Sequence, residues 1–104
     1  MSGYIIYHYN ILDEERIDQL GTLSLPILEK YSGKIVVGSG VRVLEGSPYT
    51  NMVIYKFESR ELAKQFYESA ESKVLSQLRN EITEGVVVFV PEYGTQQLST
   101  SAGD

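Results

Sequence analysis

Phe57-Glu58-Ser59-Arg60-Glu61-Leu62-Ala63-Lys64-Gln65-Phe66-Tyr67-Glu68-Ser69 is the stretch whose reading decides the fold. Phe57 closes a strand-like run, Ser59 is placed as a helix N-cap, and Leu62, Ala63, Phe66, Tyr67 and Ala70 follow at helical spacing. The stretch is therefore a strand-to-helix corner, and no residue in it is reactive by type.

Upstream, Asn51 to Phe57 reads as a strand, and the turn Glu45-Gly46-Ser47-Pro48 joins it to a strand over Lys34 to Leu44. Strict alternation puts Ile35, Val37, Ser39, Val41 and Val43 on one face of that earlier strand. Val36, Gly38, Gly40, Arg42 and Leu44 fall on the other, where the two glycines allow a close approach or a bulge. Tyr4 to Ile11, rich in β-branched and aromatic residues, is the first strand. Asp13 then caps a helix with Glu14 and Glu15 in its first turn and a staple between Leu12 and Ile17. Ile17, Leu20, Leu23, Ile27, Leu28 and Tyr31 form its apolar stripe. Pro26 predicts a kink or two short helices, and Gly33 a left-handed stop.

Downstream, Ser69 or Ser72 caps a further short helix carrying Val74, Leu75, Leu78 and Ile82. Val86-Val87-Val88-Phe89-Val90 is the last strand, closed by Pro91. Residues 1–93 are expected to form one domain, and 94–104, without periodicity and rich in Gln, Ser, Thr and Gly, a disordered tail. The order strand, helix, strand, strand, helix, strand predicts an α+β, ferredoxin-like βαββαβ sandwich: a four-stranded antiparallel sheet with both helices on one face. Val86 to Val90 is apolar at every position, so both faces of that strand are expected to be buried. A second copy of the chain is the simplest cover, with the chain's own tail or loops as the alternative.

The 104-residue chain carries a formal charge of -5, no cysteine and one histidine. Net negative charge removes the non-specific attraction to phosphate on which nucleic-acid binding relies, and disfavours anionic membrane surfaces. Without cysteine there is no disulfide, thiolate metal site or thiol nucleophile, which fits a cytoplasmic protein. The start lacks the pattern of a signal peptide, and no apolar run approaches the roughly 20 residues of a membrane helix. With one histidine and acids on exposed helix faces, neither a metal site nor a cofactor is expected.

Leu44-Glu45-Gly46, Val53-Ile54-Tyr55-Lys56-Phe57, Ser59, Glu61, Ala63, Phe66-Tyr67, Ser69, Glu71 and Arg79 together resemble the pattern of the bacterial family called domain of unknown function 1330. The resemblance runs from Tyr4 to about Pro91. It implies a ferredoxin-like fold of the dimeric α+β barrel superfamily, in which two sheets pair face to face. Val37-Gly38-Ser39-Gly40 stands where that family tends to have an arginine and paired glycines. The resemblance implies a fold and no activity.

His8 is the side chain most readily tuned for proton transfer, and it lies mid-strand beside Tyr7 and Tyr9. Arg42 and Glu45 flank the end of the second strand, where they can hold a carboxylate or move a proton, or simply form surface ion pairs. Arg79 is expected to pin a helix C-terminus or an acid. Eight tyrosines raise the question of base stacking, since Tyr7, Tyr9, Tyr55 and Phe57 lie on the strands an RNA-recognition motif uses. The acidic chain has no basic strip and lacks that motif's signature, so core or dimer aromatics account for them. The expected function is a homodimer binding a small organic molecule at the sheet, with Tyr7, His8, Tyr9, Asn10, Arg42, Glu45 and Tyr55 at the site. Related α+β barrels imply one alternative, a cofactor-independent oxygenase or isomerase in which His8 is catalytic. Another is a dimer acting only through protein contacts.

Overall fold

In the computed structural model, which describes residues 1–94, the corner at Phe57 forms as its residues dictate. β3 (Asn51–Phe57) ends there, and the Ser59 hydroxyl accepts the Leu62 N–H at 3.1 Å to start α2 (Arg60–Glu68). Ser69 repeats the device, accepting from the Ser72 N–H at 3.1 Å, and opens α3 (Ala70–Ile82). This helix is longer than α2, not the short piece expected. Its 13 residues run directly into β4 (Thr83–Pro91), which begins three residues before the apolar run.

β1 (Gly3–Ile11) lies between β3 and β4 and pairs antiparallel with both, while β2 (Lys34–Gly40) pairs with β3 at the edge, giving the order β2-β3-β1-β4. This is the antiparallel sheet of a ferredoxin-like α+β fold. α1 (Ile17–Lys30), α2 and α3 cover one face. Their shared core is Ile5, Tyr7, Tyr55 and Phe57 from the sheet with Leu28, Ala63 and Phe66 from the helices. Phe66 is its hub, 5.1 Å from the Phe57 ring and 5.7 Å from the Tyr55 ring.

Four local expectations change. Asp13 caps only a turn, accepting from the N–H groups of Glu15 and Arg16, and α1 starts at Ile17. α1 then runs unbroken through Pro26. Its inward stripe includes buried Ser24, while Leu23 is 46 % exposed, because the Ser24 hydroxyl satisfies itself on the Leu20 carbonyl at 2.7 Å. The left-handed residue ending α1 is Ser32, at φ 58°, with Gly33 N–H and Ser32 N–H returning to the carbonyls of Leu28 and Glu29. Gly33 is required for space: a Cβ there would run into Leu28 and Phe57.

β2 stops at Gly40, short of Leu44, and the turn at Gly46 (φ 75°) lies in a loop rather than a tight hairpin. A register shift between Ile35 and Val37 breaks the alternation expected there. Ile35 pairs with Tyr55 on the helix side, and Val37 pairs with Ile54 on the open side. Val86 to Val90 is not buried on both faces within one chain, for Val88 is 44 % exposed on the side no helix covers. The tail expected over 94–104 lies, from residue 95 onward, outside the described residues. No helix among the described residues is long and apolar enough to cross a membrane.

Candidate functional site

Because side chains alternate along β1, Tyr7 and Tyr9 point toward the helices and His8 and Asn10 away from them. The helix side holds a cavity of about 120 Å³. Tyr7, Tyr9, Val53 and Tyr55 form its floor, Phe66 and Leu75 part of its wall, and exposed Gly21 of α1 and Tyr67 of α2 mark its mouth. A shallower groove of about 340 Å³ adjoins it across Tyr9, Gly21, Val53 and Tyr55 and runs over Gly38 and Gly40 of β2. The missing side chains at those glycines leave the groove open.

The polar lining is sparse. Ser24 comes from α1, Ser72, Ser76 and Arg79 from α3, and Thr83 from the start of β4. Thr83 spends its hydroxyl on the Arg79 carbonyl at 2.7 Å. The Arg79 guanidinium lies over the Tyr7 ring, 4.9 Å from its centroid, and one nitrogen donates to the Ser76 hydroxyl at 2.8 Å. Among the described residues no carboxylate lies within ion-pairing distance of it. Of the two roles expected for Arg79, it does stand in the last turn of α3, but instead of pairing with an acid its cation stacks on an aromatic wall. Burial raises the pKa of Tyr7 and Tyr55 above that of an ordinary phenol, and the Arg79 charge offsets part of that rise. Both rings are therefore neutral hydrogen-bonding groups at physiological pH. Burial also raises Tyr9.

Of the seven residues singled out in the sequence, Tyr7, Tyr9 and Tyr55 come together at this cavity. The other four lie elsewhere. On the far side of the sheet His8 Nε2 donates to the Tyr49 carbonyl at 3.2 Å, lies 3.3 Å from the Ser47 hydroxyl, and meets the Tyr49 ring edge-on. Asn10 accepts from both the N–H and the hydroxyl of Thr50 and donates to the Pro48 carbonyl and to Glu84. These two side chains tie the loop after β2 to β1. Arg42 and Glu45 stand exposed on that loop and do not line the cavity. Sequence reasoning passed over Ser72, Ser76, Arg79 and Thr83 as a group, although their spacing of four, three and four residues continues one inward polar stripe from α3 to the residue that ends it. Among the described residues no three His, Cys, Asp or Glu side chains converge as a metal site would require.

Residues 2–93 match the family described as Domain of unknown function (DUF1330). No curated protein matches the chain by sequence. Among solved structures, the chain is similar to a protein of unknown function from Rhodopseudomonas palustris, with a TM-score of 0.71, 13 % identity, and coverage of 89 % of this chain and 83 % of that one. It is also similar to SnoaB, a cofactor-independent oxygenase from Streptomyces nogalater (TM-score 0.66, 5 % identity, 90 % and 95 % coverage). A third is HapK from Hahella chejuensis (TM-score 0.59, 14 % identity, 89 % and 94 % coverage). At these identities the likeness is one of fold.

Proposed function

The chain belongs to the DUF1330 family, and on that premise we propose that it is a small-molecule-binding protein working as a cytoplasmic homodimer. The observation that carries this reading is the cavity between sheet and helices, an aromatic floor with a few polar groups at one side, which is the usual make-up of a small-ligand site. Its volume of about 120 Å³ suits a ring-sized body, given that an apolar cavity of about 150 Å³ accepts benzene. The adjoining groove over Gly38 and Gly40 can take an extension of the ligand.

The homodimer rests on the open sheet face. Ile6, Ile54 and Val88 form a cross-strand row there, Val37 extends it at the β2 edge, and Val86 lies beside it on β4. An aliphatic face of this kind favours a partner, and the sheet-to-sheet pairing implied by the family resemblance supplies one in a second copy. The absence of cysteine supports the cytoplasm as the compartment.

Catalysis through His8 fits less well, because its ring lies across the sheet from a ligand in this cavity and is engaged by the Ser47–Tyr49 loop. Binding without turnover is the reading favoured. Native mass spectrometry of freshly purified protein, combined with a fragment screen by NMR, tests it. The expected result is a dimer mass and fragment-induced shifts clustered at Tyr7, Tyr55, Phe66 and Leu75. A monomer mass would remove the dimer, and shifts absent from those residues would remove the ligand site.

A further inference from the structure

In an acidic chain, an arginine beside an aromatic cavity with no carboxylate partner among the described residues needs an account of its charge. Arg79 has five N–H donors in a planar fork, of which Ser76 takes one, and among the described residues no carboxylate neutralises it. It is not a solvated surface cation, since its guanidinium is stacked on the Tyr7 ring and lines the cavity wall. A second observation lies about two turns away on the same face of α3. Ser72, 5 % exposed, lines the cavity, and its hydroxyl is buried without a hydrogen-bond partner among the described residues. A buried hydroxyl left unpaired carries an uncompensated desolvation cost, which a ligand's acceptor would offset. Arg79 and Ser72 thus line the same cavity from one helix, against a floor of aromatic rings.

We propose that the cavity selects a small organic monoanion, a carboxylate on a flat apolar body, with the Arg79 guanidinium as its counter-charge and the Ser72 hydroxyl as an added donor. The flat body stacks among Tyr7, Tyr55 and Phe66, and the carboxylate faces α3. A planar guanidinium matches a carboxylate through two parallel N–H···O bonds, which gives direction as well as attraction. The neutral Tyr7 and Tyr55 phenols leave Arg79 as the charged group that meets the ligand. This inference deepens the ligand-site reading above and rests on it.

Sodium benzoate and its neutral isostere benzamide are the probes, titrated into the full-length protein with binding followed by calorimetry and by NMR shifts at the cavity residues. Benzoate is expected to bind about tenfold or more tightly than benzamide, the margin of a charge-assisted hydrogen bond. Arg79→Met should collapse the benzoate-to-benzamide ratio to about one. If that variant does not fold, Arg79→Lys carries the test. It keeps the charge, loses the fork, and should lower the benzoate-to-benzamide ratio by several-fold. Equal binding of the two probes, or a ratio unchanged in the folded variant, overturns the anion selectivity while leaving the ligand site standing. If neither probe shifts the cavity residues, the ligand site itself falls and the selectivity falls with it.

Discussion

The two faces of the sheet carry different kinds of apolar side chain. On the helix side, Tyr55 and Phe57 interlock with Phe66, Tyr7 meets Tyr55 edge-on, and the irregular space beside Tyr7, Tyr55 and Phe66 is the cavity. On the open side, Ile6, Ile54, Val86 and Val88 are aliphatic and make a continuous surface. Flat aromatic rings edged by hydroxyls leave a shaped, partly polar hollow. Branched aliphatics on a pleated surface leave something to pack against. The difference separates a face suited to a small molecule from one suited to another sheet.

Mutations break or sharpen that contrast. The largest stability loss belongs to the helix side: Phe57, 1 % exposed, should cost roughly 3–5 kcal/mol as Phe57→Ala in urea unfolding. A loss under about 1 kcal/mol would mean that this face is not the core. On the open side, Val88→Arg should leave the circular dichroism spectrum intact and convert a dimer to monomer in sedimentation. A variant that stays dimeric would place the partner on another surface.

Alkaline pH offers a gentler probe of the aromatic face. Tyr7 and Tyr55 have folded-state pKa values raised by burial, so above about pH 10 the unfolded chain releases phenolic protons that the folded chain retains. Their contribution is fully present below that pH and is lost as pH rises through the folded-state values. Stability should fall by up to about 1.4 kcal/mol per pH unit for each ring, and Tyr7→Phe should flatten the slope, as urea midpoints measured across this range would show. The smallest change expected is in Ser59→Ala. It removes the cap that holds α2 over the covered face and should cost about 1 kcal/mol by thermal unfolding.

Much of the architecture was legible because it follows from local chemistry. Ser59 and Ser69 cap as their positions demand, and the order of elements leads to the four-stranded antiparallel sheet that forms. The site was legible only in part. Tyr7, Tyr9 and Tyr55 meet as their alternation allows, whereas Arg42 and Glu45 were judged by proximity to a strand that ends at Gly40. His8 was judged by residue type. Strand alternation already places it opposite Tyr7 and Tyr9, and its hydrogen bonds to a loop some 40 residues away depend on how that loop folds back.

What the sequence alone determined were the order of the elements, the Ser59 and Ser69 caps and the apolar character of β4, since each depends on neighbours within a few residues along the chain. Tertiary structure decided the bulge at Val36, the inward turn of Ser24, the outward turn of Leu23 and the stacking of Arg79 on Tyr7. These depend on the space left when three helices close over a twisted sheet. Arg79 and Tyr7 are 72 residues apart in the chain, and no local pattern announces that one ring will lie beneath the other's charge.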